Sequence, residues 1–245
     1  VVRVDVPIAH LPAALDGVTI AQISDLHVGQ IRHEQQLIRD VVDTINGLNV
    51  DIIALTGDFT DGMVSQLHER VAPLGQLRAK YGRYFVTGNH EYYTDKVENW
   101  LAEWASLGFT LLQNQHEVLN IQGAPLVVAG VNDLRSSQRH PTHVCSPQQA
   151  LAGAPSAPTI LLAHHPDVAQ LTENLPVDLQ LSGHTHGGQY FPGTLIVRWV
   201  HDFKVGRNPR GDGWVFVNSG TGYWGSALRT TDVASEISLL TLRRA

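Results

Sequence analysis

Short apolar, β-branched runs recur along the chain, each stopping at a cluster rich in Gly, Asp, Asn or His, with helical patterns between them. The runs 18–23, 50–55, 84–87, 125–131, 159–163, 177–181 and 214–217 predict buried strands. Residues 1–10 add a short alternating strand, with Val2, Val4, Val6 and Ile8 set against Arg3, Asp5 and Pro7. Between the runs at 18–23 and 50–55, Leu37, Ile38, Val41, Val42, Ile45 and Leu48 fall on one helical face, and Gly47 lies near its stop. A second helix is predicted after Asp95, with Val97, Trp100, Leu101, Trp104 and Leu107 apolar and Gly108 closing it. Beyond Leu111, 116–121 and 126–131 read as neighbouring strands, and 236–242 alternates like another. Strands alternating with helices imply a layered α/β domain, here with a second sheet packed on the first. Residues 141–158 read as a surface connection with a short helix at 148–151, and 191–213, with four glycines and two prolines, as an excursion.

Composition narrows this picture. A chain of 245 residues with 43% hydrophobic residues can bury a sizeable core, and it is read as one domain over 1–245. No apolar run approaches the roughly 18 residues of a membrane span. A net charge of −6 gives no broad basic face for duplex binding, so nucleic acid is not an expected partner. Cys145 stands alone, which excludes an internal disulfide, a multi-cysteine zinc site and an iron–sulfur cluster. Thirteen histidines with only 16% charged residues direct attention to metal ligation by His, Asp, Glu and Asn. The chain opens at Val1 and Met63 is its one methionine, so the natural start is expected outside this sequence, where a signal or membrane anchor could precede it.

The polar residues gather where the apolar runs stop, and carboxyl ends of strands are where open α/β sheets bind ligands. In order they are Asp25-Leu26-His27, Gly57-Asp58-Phe59-Thr60-Asp61, Gly88-Asn89-His90-Glu91, His164-His165 and Gly183-His184-Thr185-His186. In Asp25-x-His27 and His184-x-His186, an extended backbone would point both side chains the same way. Oxygen and imidazole donors without thiolate suit Mn, Fe, Zn or Co. The donors outnumber what one ion can use. Two ions about 3.5 to 4 Å apart, sharing a carboxylate, would absorb them, the arrangement used for in-line displacement at phosphorus. Taken singly, Asp-x-His is more often a helix cap and Gly-Asp a turn; five such elements in order, each at a strand end, are a poor coincidence.

This ordered set resembles the calcineurin-like metallophosphoesterase superfamily, with its D-x-H, G-D-x-x-D, G-N-H-[DE], isolated H and G-H-x-H elements, and the resemblance covers about residues 17–242. It implies a metallophosphatase fold, a four-layer α/β/β/α sandwich of two mixed sheets flanked by helices. It also implies two divalent cations, with manganese the leading choice and zinc, iron or cobalt the alternatives. One ion would be held by Asp25, His27, Asp58 and His186, the other by Asp58, Asn89, His164 and His184. A hydroxide between them would attack phosphorus in a phosphoester or pyrophosphate. His90 would stabilise the phosphoryl oxygens or protonate the leaving oxygen, while Asp61 and Glu91 would orient ligands.

The ending Gly183-His-Thr-His-Gly-Gly-Gln189, with Gly220-Thr-Gly-Tyr-Trp-Gly225 downstream, resembles a bacterial, often membrane-associated branch similar to hydrolases of UDP-2,3-diacylglucosamine. That likeness implies a small phosphorylated substrate, lipid-linked or a sugar nucleotide, and a place at the bacterial membrane or envelope. On the substrate side, His165 and Arg229 are the leading candidates, with Arg135, Arg207 and Arg210 behind them and His201 undecided. His10, His33, His68, His116, His140 and His143 lack supporting partners and are expected on the surface or in packing. A catalytically inactive scaffold of the same fold is the alternative, although no expected ligand is missing. A metallo-β-lactamase-like hydrolase is disfavoured because H-x-H-x-D-H is absent.

Overall fold

The computed structural model describes residues 1–30, 34–225, 229 and 233–245. His33 therefore lies outside the described residues. In chain order the elements are β1 (Val2–Ile8), β2 (Thr19–Ile23), α1 (Glu34–Leu48), β3 (Ile52–Thr56), α2 (Val64–Val71), β4 (Gly82–Val86), α3 (Val97–Ser106), β5 (Thr110–Leu111), β6 (Gln115–Ile121) and β7 (Ala124–Gly130). They continue with α4 (Pro147–Ala150), β8 (Thr159–Leu162), α5 (Val168–Leu171), β9 (Leu179–Ser182), α6 (Gly193–Val200), β10 (Gly206–Arg210), β11 (Gly213–Val217) and β12 (Ser238–Arg244). Two six-stranded sheets form, ordered β1-β12-β2-β3-β4-β5 and β10-β11-β9-β8-β7-β6. Both are mixed: β2, β3 and β4 run parallel while β12 is antiparallel to β2, and β7, β8, β9 and β11 run parallel between antiparallel edge strands.

Because side chains alternate across a strand, each sheet offers two apolar faces. Ile20, Ile52, Ala54 and Val86 of the first sheet meet Leu126, Val128, Ile160, Leu181 and Phe216 of the second in the core between them. The opposite face of the first sheet, with Ala21, Ile53, Leu55 and Phe85, packs on Ile38, Val42 and Ile45 of α1 and on Trp100 and Trp104 of α3. Outside the second sheet, Val127, Ala129 and Leu161 meet Ala150 and Val168 from α4 and α5. The strands are near-continuous apolar runs because both faces are covered. The expected α/β/β/α sandwich is the observed one.

Trp104 is fully buried, stacked on Phe85 at 4.9 Å and edge-on to Phe59 at 5.5 Å. Trp104→Ala is expected to lower stability by about 3–5 kcal/mol, read from denaturant unfolding, because the helix layer loses its largest contact with the sheet.

Two segments hold elements that the sequence pattern did not pick out. The segment α2 carries only Val64, Leu67 and Val71 as apolar contacts, too short a pattern to stand out from the sequence. The excursion 191–213 contains α6 and the edge strand β10, which pairs with β11 across the two-residue turn 211–212.

Candidate metal centre

The parallel registers level the carboxyl ends of the strands. Ile23 lies opposite Leu55, Thr56 opposite Val86, and in the second sheet Leu162 lies opposite Leu181 and Ser182 opposite Val217. All five motif loops therefore open on one edge of the sandwich, and the loop after β11 joins them through hydrogen bonds from the Thr221 N–H to the Ser24 carbonyl and from the Gly222 N–H to that of Asp25.

Here the backbone departs from expectation. Asp25, His27, Asp58, His184 and His186 all have positive φ, between 50° and 70°. The Asp-x-His and His-x-His pairs are therefore not extended. Their side chains converge through tight left-handed turns, a conformation costly for non-glycine residues and one that clusters at functional sites. The glycines between the loops serve close approach: a Cβ on Gly88 would lie 2.1 Å from Asp58 Oδ1, and one on Gly183 would lie 1.9 Å from Ser24 Oγ.

Three clusters form at this edge, Asp25 with His27 and His186, His27 with Asp58 and His90, and Asp58 with His164 and His184, each with donor atoms within 4.8 Å of one another. In the first, the Nε2 atoms of His27 and His186 stand 3.0 Å apart, and Asp25 Oδ1 lies 3.3 Å from His186 Nε2. In the last, His164 donates from Nδ1 to the Thr56 carbonyl at 2.8 Å, which turns Nε2 toward Asp58 Oδ2 at 3.0 Å and His184 Nδ1 at 3.2 Å. Two nitrogens and a carboxylate oxygen so close in a buried site share a cation, a proton on His164 in the metal-free protein or a metal ion in its place.

The titration behaviour has the same cause. Burial acts to raise the Asp58 carboxyl, but the charge and hydrogen bond of His164, with His90 and His27, hold it far below the ordinary carboxylate range. His164 is raised well above the usual imidazole value because Asp58 outweighs its burial. Burial pushes His186 down to about 4, despite Asp25, so this imidazole is neutral near pH 7, the form that ligates. Asn89 donates from Nδ2 to the Tyr93 hydroxyl at 3.0 Å, while its buried Oδ1 has no hydrogen-bond partner, as a ligand oxygen should. The donor set and these atoms fit divalent cations.

Asp61 links His27 and His90: Oδ2 accepts from His27 Nδ1 at 2.8 Å and Oδ1 pairs with His90 Nδ1. Glu91 accepts three backbone N–H groups, from Phe59 at 2.7 Å, Gly88 at 2.7 Å and Asp58 at 3.0 Å, so it clamps two motif loops together. Its carboxyl is pushed up to about 7 by burial and by Asp58.

The two expected substrate contacts are placed differently. Arg229 donates to the carbonyls of Gly222, Ser219 and Gly220 at 2.7, 2.7 and 3.1 Å, so its guanidinium braces the loop after β11 against His186. His165 is 1% exposed, with its ring 4.3 Å from that of His184. Arg207 lies over Trp214 and Arg210 donates to the Ala169 carbonyl, whereas Arg135 lines a cavity of about 110 Å³ beside Asn89, with Tyr93, Asp133 and Arg139. His140 and His143 are not isolated: their rings lie 4.0 Å apart, and Glu98 Oε1 pairs with His140 Nε2 at 2.6 Å. Sequence reasoning missed Tyr93 and Asp133. Tyr93, four residues past Asn89, carried a weak helical-spacing signal; Asp133 carried none.

A two-sheet sandwich pooling carboxylates and imidazoles at one edge defines the class as a metal-binding hydrolase fold. The chain belongs to the calcineurin-like phosphoesterase family, whose model matches residues 18–188. It is 38% identical over its full length to a transmembrane protein with metallophosphoesterase domain from Danio rerio, covering 57% of that protein. It is 32% identical to the metallophosphoesterase YkuE of Bacillus subtilis, covering 95% of this chain and 82% of that protein. Among solved structures, a dimetal phosphatase from Danio rerio matches with a TM-score of 0.55 and 15% identity over 84% of this chain and 88% of that one, a likeness of fold. The chain thus spans less than two thirds of the vertebrate relative's length, and the relatives, both vertebrate and bacterial, do not single out the bacterial branch expected from the glycine-rich endings. Among the described residues, no helix is long and apolar enough to cross a membrane.

Proposed function

We propose that this domain hydrolyses phosphoester or pyrophosphate bonds with two divalent cations, manganese being the leading choice. Asp25, His27, Asp58 and His186 hold one ion and Asp58, Asn89, His164 and His184 the other. The observation that carries this reading is His164 Nε2 aimed at Asp58 and His184 with its other nitrogen tied to a carbonyl. Bound there, the ions supply Lewis acidity toward phosphoryl oxygens and a nucleophilic water at neutral pH.

The chain's own residues do the rest. Asp61 holds His90 by Nδ1, leaving Nε2 to face the reacting phosphoryl group. Burial alone would lower His90, but the Asp61 hydrogen bond and the Asp58 charge raise it, so the ring is poised to give a proton to the leaving oxygen. Arg135 and Arg139, at the cavity beside Asn89, are placed to steady a second anionic group. Within this reading the finer substrate is a small lipid-linked or sugar-nucleotide phosphate handled near a membrane. The exposed Tyr190, Phe191, Trp199 and Trp224, and relatives named as transmembrane proteins, support it.

The test is metal removal and return. Chelated protein is expected to lose hydrolysis of an aryl phosphate or diester and to regain it with Mn²⁺, and His90→Gln to lower kcat by about 10²–10⁴-fold. Turnover that survives exhaustive chelation would sink the proposal. No turnover across nucleotide, sugar-nucleotide, phospholipid and aryl phosphates with Mn²⁺ would favour the inactive scaffold.

A further inference from the structure

Beside this centre lies a second set of donor atoms that the proposed hydrolysis does not use. His165 follows β8, Asp167 directly precedes α5, and His201 directly follows α6. We propose that His165, Asp167 and His201 form a third cation site, suited to Zn²⁺, that ties the α6 excursion to the end of β8.

The distances carry the argument. His165 Nδ1 lies 3.7 Å from Asp167 Oδ2, and His201 Nδ1 lies 4.0 Å from Asp167 Oδ1. Both separations are too long for hydrogen bonds. Two ligands bonded tetrahedrally to one ion at about 2.0–2.2 Å each stand about 3.3–3.6 Å apart, so a shift of a few tenths of an ångström brings these atoms to bonding distance. Asp167 Oδ1 and His201 Nδ1 are shielded from solvent and neither has a hydrogen-bond partner. Buried polar atoms left in this state call for a specific explanation, and an ion between them supplies it.

The His165 ring is already in the right form. The Asp167 backbone N–H donates to its Nδ1 at 3.2 Å, so in the neutral ring the proton sits on Nε2 and the Nδ1 lone pair faces the cluster. An ion replaces that long hydrogen bond and displaces no proton from the ring. Two imidazoles and a carboxylate form the His₂-carboxylate set that zinc takes with one position left open for water or a substrate oxygen. The His165 ring lies 4.3 Å from that of His184 and the His201 ring 6.0 Å from it, so the third ion adjoins the two-ion centre without borrowing its ligands.

The test counts ions and does not read activity. Metal-stripped protein is reloaded with Zn²⁺, freed of excess by gel filtration, and its metal content measured by mass spectrometry. Asp167→Asn and His201→Ala are each expected to hold one equivalent fewer than wild type, and their Co²⁺-loaded forms to lose part of the visible ligand-field absorption. Asp58→Ala separates this site from the proposed two-ion centre: it should lose ions there yet keep the equivalent that depends on His201. Should His201→Ala unfold by circular dichroism, His201→Gln, which keeps the bulk, provides the comparison. Equal zinc stoichiometry in wild type and both cluster variants overturns the third site, whatever Asp58→Ala does.

Discussion

Asp58→Ala is expected to reduce turnover of an aryl phosphate by at least about 10²–10³-fold, the scale of losing one group that stabilises transition-state charge, with no rescue by added Mn²⁺. Both oxygens of this carboxylate are committed: Oδ2 faces His164 Nε2 at 3.0 Å and Oδ1 accepts the His90 N–H at 2.8 Å. Removing it takes a ligand from both proposed ions and releases the backbone that carries His90. In metal-free protein it also leaves His164 buried without its counter-charge, a break that costs about 3–5 kcal/mol for a buried pair. The pH dependence follows from the two shifts. Asp58 is lowered, so its contribution is present above the ordinary carboxylate range and fades as pH falls through the depressed value. His164 is raised, so its contribution is full below the usual imidazole value and fades as pH rises through the elevated one. Thermal unfolding of metal-free wild type should therefore weaken on the alkaline side, and Asp58→Ala should flatten that dependence. Full activity in Asp58→Ala would remove the basis of the proposed centre.

Gly88→Ala should be nearly as damaging, although glycine offers no ligand at all. The added methyl would stand 2.1 Å from Asp58 Oδ1 and 2.5 Å from the Asp58 backbone nitrogen. The loops after β3 and β4 must separate to admit it, shifting Asp58 and Asn89 together. A misplacement on the order of 1 Å is expected to lower kcat by about 10²-fold, and the crowding to cost about 1–3 kcal/mol in unfolding free energy. Gly123→Ala is the control: Gly123 has a positive φ, at 86°, which Gly88 does not, but a methyl there meets nothing within 4 Å. It should lose some stability through backbone strain and keep its activity. Equal kcat in the two variants would show that the close packing of these loops does not matter for catalysis.

Much of this was legible before any coordinates. The strands after which the motifs fall are long apolar runs because both faces of each sheet are covered, and their ends are marked by an abrupt change to Gly, Asp, Asn and His. Period-2 and period-3.6 patterns therefore located β2, β3, β4, β8, β9, α1 and α3 to within a few residues. They failed at α2 and in the excursion 191–213, where α6 and the short hairpin strand β10 were not picked out. The motif residues are brought to one edge, but through left-handed turns at Asp25, His27, Asp58, His184 and His186, a conformation invisible to a reading of spacing alone.

Arg229, His165 and His201 mark the boundary most clearly. A single arginine past a glycine-rich turn reads as a free cation for phosphate, yet Arg229 directs its donors at carbonyls of the loop after β11. No local pattern brings His201 to His165 and Asp167, since they lie on segments far apart in the chain and meet only in the fold. The sequence by itself determined which side chains could ligate and at which strand ends they stand, because donor chemistry belongs to the residue and strand ends are punctuated locally. Only the tertiary structure decided which donors meet, which nitrogen of His164 faces Asp58 and which cations are spent on the backbone. Those outcomes depend on contacts between segments far apart in the chain, which side-chain periodicity does not encode.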